Sequence, residues 1–199
     1  MRSWIAVLDF KSMYPSIMIT NNICPTTLVE GDDKMSDDSV SPTTGTRYRS
    51  QTHRNGLVPR LLTDLMTLRD EYKKTSRVAR ADGDEQNAFL NDRLQFAVKI
   101  LMNSFYGVFA SSFYRFTHKD IGASITEWAR HNIKSIISDL NADGYDVVYS
   151  DTDSIFVRTR GIGDAPINKP EDDENKLRTW EQAKEETCLL YTSQSPRDP

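Results

Sequence analysis

Val147–Val157 reads VVYSDTDSIFV, two short runs of strand-forming residues on either side of an Asp-Thr-Asp turn. Val, Tyr, Ile and Phe suit a pleated, half-buried surface, whereas Asp and Thr suit a turn. The stretch therefore predicts a β-hairpin. Two carboxylates, Asp151 and Asp153, stand at its end. In extended geometry residues two apart point to the same side, and exposed paired carboxylates on a stiff hairpin are what a divalent-metal site requires. Asp is also a common turn residue in its own right, so the hairpin alone leaves both readings open.

Working outward, Asn141–Asp146 is a polar turn, and Ile121–Leu140 carries Ile125, Trp128, Ile133, Ile136, Ile137 and Leu140 at helical spacing. This predicts a long helix packed under the sheet. Far upstream, Trp4–Leu8 is a short, continuously apolar run that reads as a buried strand delivering Asp9 to its end. The chain then passes through Phe10–Tyr14 into PSIMI, where Pro15 predicts the first position of a short helix.

Glu30–Gly56 turns to Asp, Ser, Thr and Gly and predicts an exposed loop or insertion, with a small hairpin around Arg47–Val58 turned at Asn55-Gly56. His53 lies in it and is assigned no chemistry. Leu57–Ala81 is helical by pattern through Leu61, Leu65, Leu68 and Tyr72. Arg69 and Lys73 share a face of this helix, which in isolation is equally a solvated basic face. Asp82-Gly83-Asp84 supplies a turn, and Glu85–Phe105 predicts a second helix antiparallel to the first. Lys99, Asn103 and Tyr106 fall on one side of it, with Gly107 directly after, where a glycine permits close approach of a ligand or backbone. The same residues would also serve as an ordinary helix end. Beyond Arg160, Gly161–Pro170 reads as a loop and Glu171–Thr187 as an acidic surface helix.

The chain has 199 residues, 38% hydrophobic and 27% charged, a soluble mixture. No apolar run approaches the roughly eighteen residues that span a bilayer, so no membrane partner is expected and a cytoplasmic location is the default. Cys24 and Cys188 are too few and too far apart for a disulfide framework or a zinc site. The terminal run CLLYTSQSPRDP, Cys188–Pro199, resembles the translation of a transposon-derived sequencing adaptor; on that reading the chain is expected to be a truncated fragment and the run is left out of fold reasoning. The net charge of -4 would argue against a nucleic-acid partner. Its location weakens the objection: Pro170–Thr187 holds seven acidic residues against three basic ones, while Leu57–Ala81 is locally basic. No internal repeat, P-loop, dinucleotide fingerprint, HExxH or GxSxG motif occurs.

What combines is an Asp at a strand end, a helix pair presenting Arg69, Lys73, Lys99 and Asn103, and a second carboxylate pair on a hairpin. Carboxylates from separate strands can hold two Mg²⁺ ions, and cations on nearby helices can neutralise a polyphosphate. Such a set suits in-line phosphoryl transfer with two metals.

The segments that carry these residues resemble the motifs of family B DNA polymerases. DFKSMYPSI is similar to motif A (D-x-x-S-L-Y-P-S-I), KILMNSFYG to motif B (K-x-x-x-N-S-x-Y-G) and YSDTDS to motif C (Y-x-D-T-D-S), in the family's order. LRDEYKK resembles the finger-helix R-x-x-x-K signature. The resemblance covers about Trp4 to Arg160, and LDFKSMYPSIMITNNICPTTL with NSFYGVFASSFYRF looks most like archaeal replicative polymerases, a viral relative being the alternative.

The resemblance implies an α+β fold, a polymerase palm with an antiparallel sheet plus a two-helix fingers hairpin. Palm would occupy 1–30 and 108–187, the latter ending in the acidic tail; an insertion would occupy 31–56, the fingers 57–107 and the adaptor-derived run 188–199. Asp9 and Asp153 would be the main metal ligands, with Asp151 contributing to the catalytic charge. Backbone amides from Phe10 to Tyr14 would cradle the triphosphate with the help of Ser12, and Tyr14 would lie under the sugar as a steric gate. Arg69, Lys73 and Lys99 would bind the triphosphate, assisted by Asn103, and Tyr106 with Gly107 would pack against the nascent base pair. The implied activity is template-directed transfer of a deoxynucleotide from a dNTP to a primer 3′-hydroxyl in DNA replication, with two Mg²⁺ ions and primer-template DNA. A sliding clamp is a further partner compatible with a full-length parent.

Met13 replaces the usual leucine of motif A, and Ser150 stands where a smaller residue is common; neither removes a functional group. The alternative is a catalytically incompetent fragment that acts at most as a nucleotide or nucleic-acid binding module. An unrelated two-metal nuclease is disfavoured, because nothing in nuclease chemistry requires the settings of Tyr14 and Tyr106.

Overall fold

The computed structural model describes residues 5–115 and 117–159. The expected loop Gly161–Pro170, the acidic helix Glu171–Thr187 and the terminal run Cys188–Pro199 lie outside the described residues. In chain order the elements are β1 (Ile5–Asp9), α1 (Met13–Thr20), β2 (Leu28–Val29), β3 (Ser39–Val40), β4 (Arg47–Tyr48), α2 (Leu57–Ala81), α3 (Glu85–Ala110), α4 (Lys119–Ala142), β5 (Asp146–Asp151) and β6 (Ser154–Arg158). The described residues divide into two compact units, one within residues 5–10 and 131–159 and the other within residues 11–130.

In the first unit β1, β6 and β5 form an antiparallel sheet in that order. Continuous apolar character predicted a strand buried on both sides, but β1 is buried on one: Ala6 and Leu8 face inward while Val7 is 53% exposed. The second half of α4 covers only that inner face. Leu8, Leu140, Ile155 and Val157 form the core there, with Ile136, Ile137, Tyr145 and Val147 packed around it. Each large aliphatic side chain so buried contributes about 1.5–3 kcal/mol. Gly144, at φ +82, lets the chain leave α4 and enter β5, and the Tyr145 amide closes the turn on the Leu140 carbonyl at 2.9 Å.

The second unit is built on the helical hairpin of α2 and α3. The turn falls at the predicted Asp-Gly-Asp: Gly83 takes φ +78, and the Asp84 carboxylate caps α3 by accepting the Asn87 amide at 3.0 Å. Leu62, Ala79, Ala88 and Met102 are buried, and the Ser76 hydroxyl donates to the Ala88 carbonyl at 2.9 Å. The second helix does not stop at Phe105. It continues to Ala110, because Gly107 keeps helical geometry and the chain turns extended only at Ser111.

Two further expectations are corrected. Helix α1 begins at Met13, with Ser12 as its left-handed cap, so Pro15 occupies the third helical position. A proline fits there because the first-turn amides have no intrahelical partner. The insertion is not open loop either: β2, β4 and β3 make a small antiparallel sheet in that order, and its β3–β4 connection is turned at residues 41–46, not at Asn55-Gly56. Gly56 instead caps α2.

Side chains from distant segments hold this sheet. Tyr48 is fully buried against Trp128 and donates to the Ser124 hydroxyl at 3.0 Å; burial pushes its phenol up to about 12. Glu127 accepts the Ser41 hydroxyl, the Thr44 amide at 3.0 Å and the Thr44 hydroxyl at 3.1 Å. Asn22, at φ +51, donates to the carbonyls of Arg49 (2.6 Å) and Arg54 (2.7 Å) and accepts the Gly56 amide at 2.9 Å. A Cβ on residue 56 would lie 2.9 Å from that Asn22 oxygen. Among the described residues no helix is long and apolar enough to cross a membrane.

Candidate active site

Register sets two carboxylates of the first unit in one row across the sheet. Asp9 ends β1 opposite Ser154, the same residue that pairs with Asp151 at the end of β5. The hairpin turn is therefore the two residues Thr152 and Asp153. Asp153 lies in the turn and not in a strand, so the alternation argument for a shared side does not apply to it. Its position is fixed by the backbone: the Phe10 amide donates to the Asp153 carbonyl at 3.0 Å. The turn puts Thr152 at φ +49, a conformation that costs a β-branched residue of order 1–2 kcal/mol.

Asp9 and Asp151 are exposed and Asp153 half-buried. The Ser154 hydroxyl donates to Asp9 at 3.0 Å, and the Thr152 hydroxyl to Asp151 at 3.1 Å. Among the described residues none of the three carboxylates is paired with a Lys, Arg or His. Nor do three His, Cys, Asp or Glu side chains converge to hold a metal by protein ligands alone. A magnesium ion asks less: it takes one or two carboxylates and completes its shell with water and phosphate oxygens. Hard oxygen donors without a neutralising side chain fit that ion.

In the second unit the loop before α1 is tied to α2. Arg69 donates from Nη1 to the Ser12 hydroxyl at 3.1 Å and from Nε to Gln95 Oε1 at 3.4 Å. Ser12 sits at φ 51, ψ 56, a second left-handed non-glycine residue in a motif turn. Lys11 Nζ meets Asp70 Oδ2 at 2.6 Å. The rings of Tyr14 and Tyr106 stack with centroids 4.5 Å apart, joining α1 to α3.

Lys73 lies one turn along α2 from Arg69. Its own burial, then the positive charges of Arg69, Lys11 and Arg77, hold its ammonium below the usual lysine range, and Asp70 opposes them. Lys99 and Asn103 are exposed on α3 and make no side-chain hydrogen bond or ion pair among the described residues. Gly107 is exposed within α3, and a Cβ there would meet no atom within 4 Å.

Spacing alone missed Lys11, Asp70, Gln95 and Ser154. Ser154 lies inside the quoted hairpin and was legible as the residue after the turn. Lys11 and Asp70 stand 59 positions apart, a pairing that no local pattern announces.

An antiparallel sheet thus carries carboxylates unpaired among the described residues, and a helical hairpin carries cations. The chain matches the model of DNA polymerase family B over residues 2–167, and it belongs to that family. It is 36% identical over 166 residues to a DNA polymerase of Thermococcus gorgonarius, covering 83% of this chain and 21% of that protein. It is 36% identical over 157 residues to DNA polymerase 1 of Pyrococcus abyssi, covering 79% and 20%. The DNA polymerase alpha catalytic subunit of Dictyostelium discoideum is 33% identical over 165 residues, 80% of this chain and 10% of that one. The family B DNA polymerase structure from Pyrobaculum calidifontis matches with a TM-score of 0.65 and 31% identity, over 79% of this chain and 20% of that one. The chain thus spans about a fifth of the length of its archaeal relatives.

Proposed function

We propose that this chain carries palm (1–30 and 108–187) and fingers (57–107) segments of a template-directed DNA polymerase that extends a primer 3′-hydroxyl with dNTPs in DNA replication. The observation that supports the reading is the sheet register: β1 and β5 both pair with β6 at Ser154, which sets Asp9 and Asp151 in one row with Asp153 in the adjoining turn, and among the described residues no Lys, Arg or His is paired with any of the three. Asp9 and Asp153 would hold two Mg²⁺ ions, and Asp151 would add to the local negative charge. Bound there, the ions would supply Lewis-acid activation of the attacking oxygen and stabilisation of the leaving group.

The chain's own groups then bind and orient. Arg69, Lys73 and Lys99 neutralise the triphosphate, with Asn103 and Ser12 as hydrogen-bonding partners. Tyr14, stacked on Tyr106, presents a flat ring to the sugar and serves as the gate against a 2′-hydroxyl, while Tyr106 and Gly107 border the nascent base pair. A sliding clamp would serve a longer protein containing this chain.

Primer extension by such a protein, with Mg²⁺ and dNTPs, tests the reading. Extension abolished by Asp153→Ala supports it, and an unchanged rate refutes it. Because the chain spans a fifth of its relatives, a second reading holds for the chain by itself, a nucleotide-binding module without turnover. Saturable dNTP binding with no extension would establish that one, and steady-state extension by the chain alone would reject it.

A further inference from the structure

Lys11 and Asp70 have no part in the reading above, yet their contact is the shortest charged one described in the second unit. Both are half-exposed, at 52% and 49% of their side-chain surface. A pair so exposed contributes only about 0.2–1 kcal/mol to stability, too little to make it a strut of the fold. Its setting is more informative. Lys11 and Ser12 are neighbours on the loop before α1, Asp70 and Arg69 are neighbours on α2, and each loop residue reaches its own partner on the helix. Arg69, Lys11 and Arg77 lower the Lys73 ammonium with their positive charge, and Asp70 opposes them with its negative charge. Asp70 therefore occupies, electrostatically, the place of an anion among cations.

We propose that Asp70 is an internal counter-ion that holds Lys11 against α2 and yields it to a polyphosphate, so that Lys11 is a further triphosphate-binding residue and Asp70 a brake on nucleotide affinity. The proposal rests on the polymerase reading, in which Arg69 and Lys73 take the triphosphate. A multiply charged phosphate chain offers Lys11 more negative charge than one carboxylate does. Asp70 opposes that exchange twice, by occupying Lys11 and by repelling the incoming anion. The sign of the consequence is unusual: breaking this ion pair at its acidic end tightens binding, whereas a structural ion pair would leave binding unchanged or weaken it.

The test is equilibrium binding of inorganic tripolyphosphate and of a dNTP to the full chain at low ionic strength. Asp70→Asn is expected to tighten both by about 3- to 10-fold, with the gain shrinking at 0.5 M salt. Lys11→Met should weaken both, Lys11→Arg should restore them, and the Asp70→Asn gain should be smaller in the Lys11→Met background. Asp37→Asn makes the same change in net charge at a carboxylate paired with His53 at 3.2 Å, and it should leave both affinities as they were. Unchanged or weaker binding by Asp70→Asn, or an equal gain from Asp37→Asn, overturns the counter-ion and leaves the polymerase reading standing. If the wild-type chain and every variant fail to bind either probe, the counter-ion proposal falls for this chain, while primer extension by the longer protein decides the polymerase reading separately.

Discussion

The carboxylate hairpin and the cationic helix pair carry charge in opposite ways. At the hairpin, Asp9 and Asp151 accept hydroxyl donors, Asp153 is fixed through its backbone, and no cation of the described residues offsets the three negative charges. On the helices, Arg69 is already bonded to Ser12 and Gln95, and Lys11 to Asp70. One region leaves its charge unanswered and the other answers part of its own. A group of like charges held close destabilises the fold unless something from outside neutralises it, so the hairpin is the region whose properties should respond most to added cations. The helix pair, with internal partners, should respond to anions by exchange.

The largest effect should come from breaking the unanswered side. Asp153→Ala in a longer protein containing this chain should lower primer extension at least about 1,000-fold, since several kcal/mol of transition-state stabilisation go with a metal ligand. Single-turnover rates against Mg²⁺ concentration measure it, and Asp151→Ala should cost less.

Next comes packing, which separates the regions by stability. Leu62→Ala beneath α2 and Ile155→Ala beneath the hairpin each remove a fully buried side chain and should cost about 2–5 kcal/mol in denaturant unfolding. Tripolyphosphate binding should suffer from the first far more than from the second, because the cations belong to the second unit.

A smaller effect concerns the charge that region keeps for itself. Burial tends to raise the Glu127 carboxyl, but the hydrogen bonds from Ser41 and Thr44 outweigh it and hold the group below its usual 4.5. A depressed folded value means that the stabilisation is present above the unfolded value and is lost as pH falls below 4.5 through the folded one. Glu127→Gln should remove that pH dependence in acid unfolding curves and cost about 1 kcal/mol at neutral pH.

The smallest compares the two left-handed turns. Thr152→Gly relieves a strained φ but adds the chain entropy of glycine and deletes the exposed hydroxyl donor to Asp151, so stability should change by no more than about 0.5 kcal/mol. Ser12→Gly relieves a similar strain but deletes the acceptor of Arg69, so its thermal gain should be nil and its tripolyphosphate affinity lower.

The long helices and the hairpin were legible because periodicity repeats over many residues. Helix α3 outran its expected end at Phe105, running through Gly107, because a glycine inside a helix costs only about 1 kcal/mol and ends nothing unless the chain takes a left-handed turn there. The small sheet was illegible as a sheet: its strands are two residues long, below any period, and partners such as Glu127 and Ser124 come from α4. At the carboxylates, residue types were readable, but the placement of Asp153 in the turn depends on the register of Asp151 opposite Ser154. That register follows from the length of the turn, and beyond it a bulge between Val147 and Tyr149 shifts the pairing, which no local pattern announces.

Asn22 has a consequence of another kind. One side chain binds the carbonyls of Arg49 and Arg54 and the amide of Gly56, so the excursion of the chain from Ile23 to Asn55 departs and returns through a single knot. A segment gathered at its neck in this way is a cassette. A graft into it would have to keep the asparagine at the exit and the residue without a side chain at the return, and with them the Tyr48 and Glu127 contacts that fasten its contents to α4.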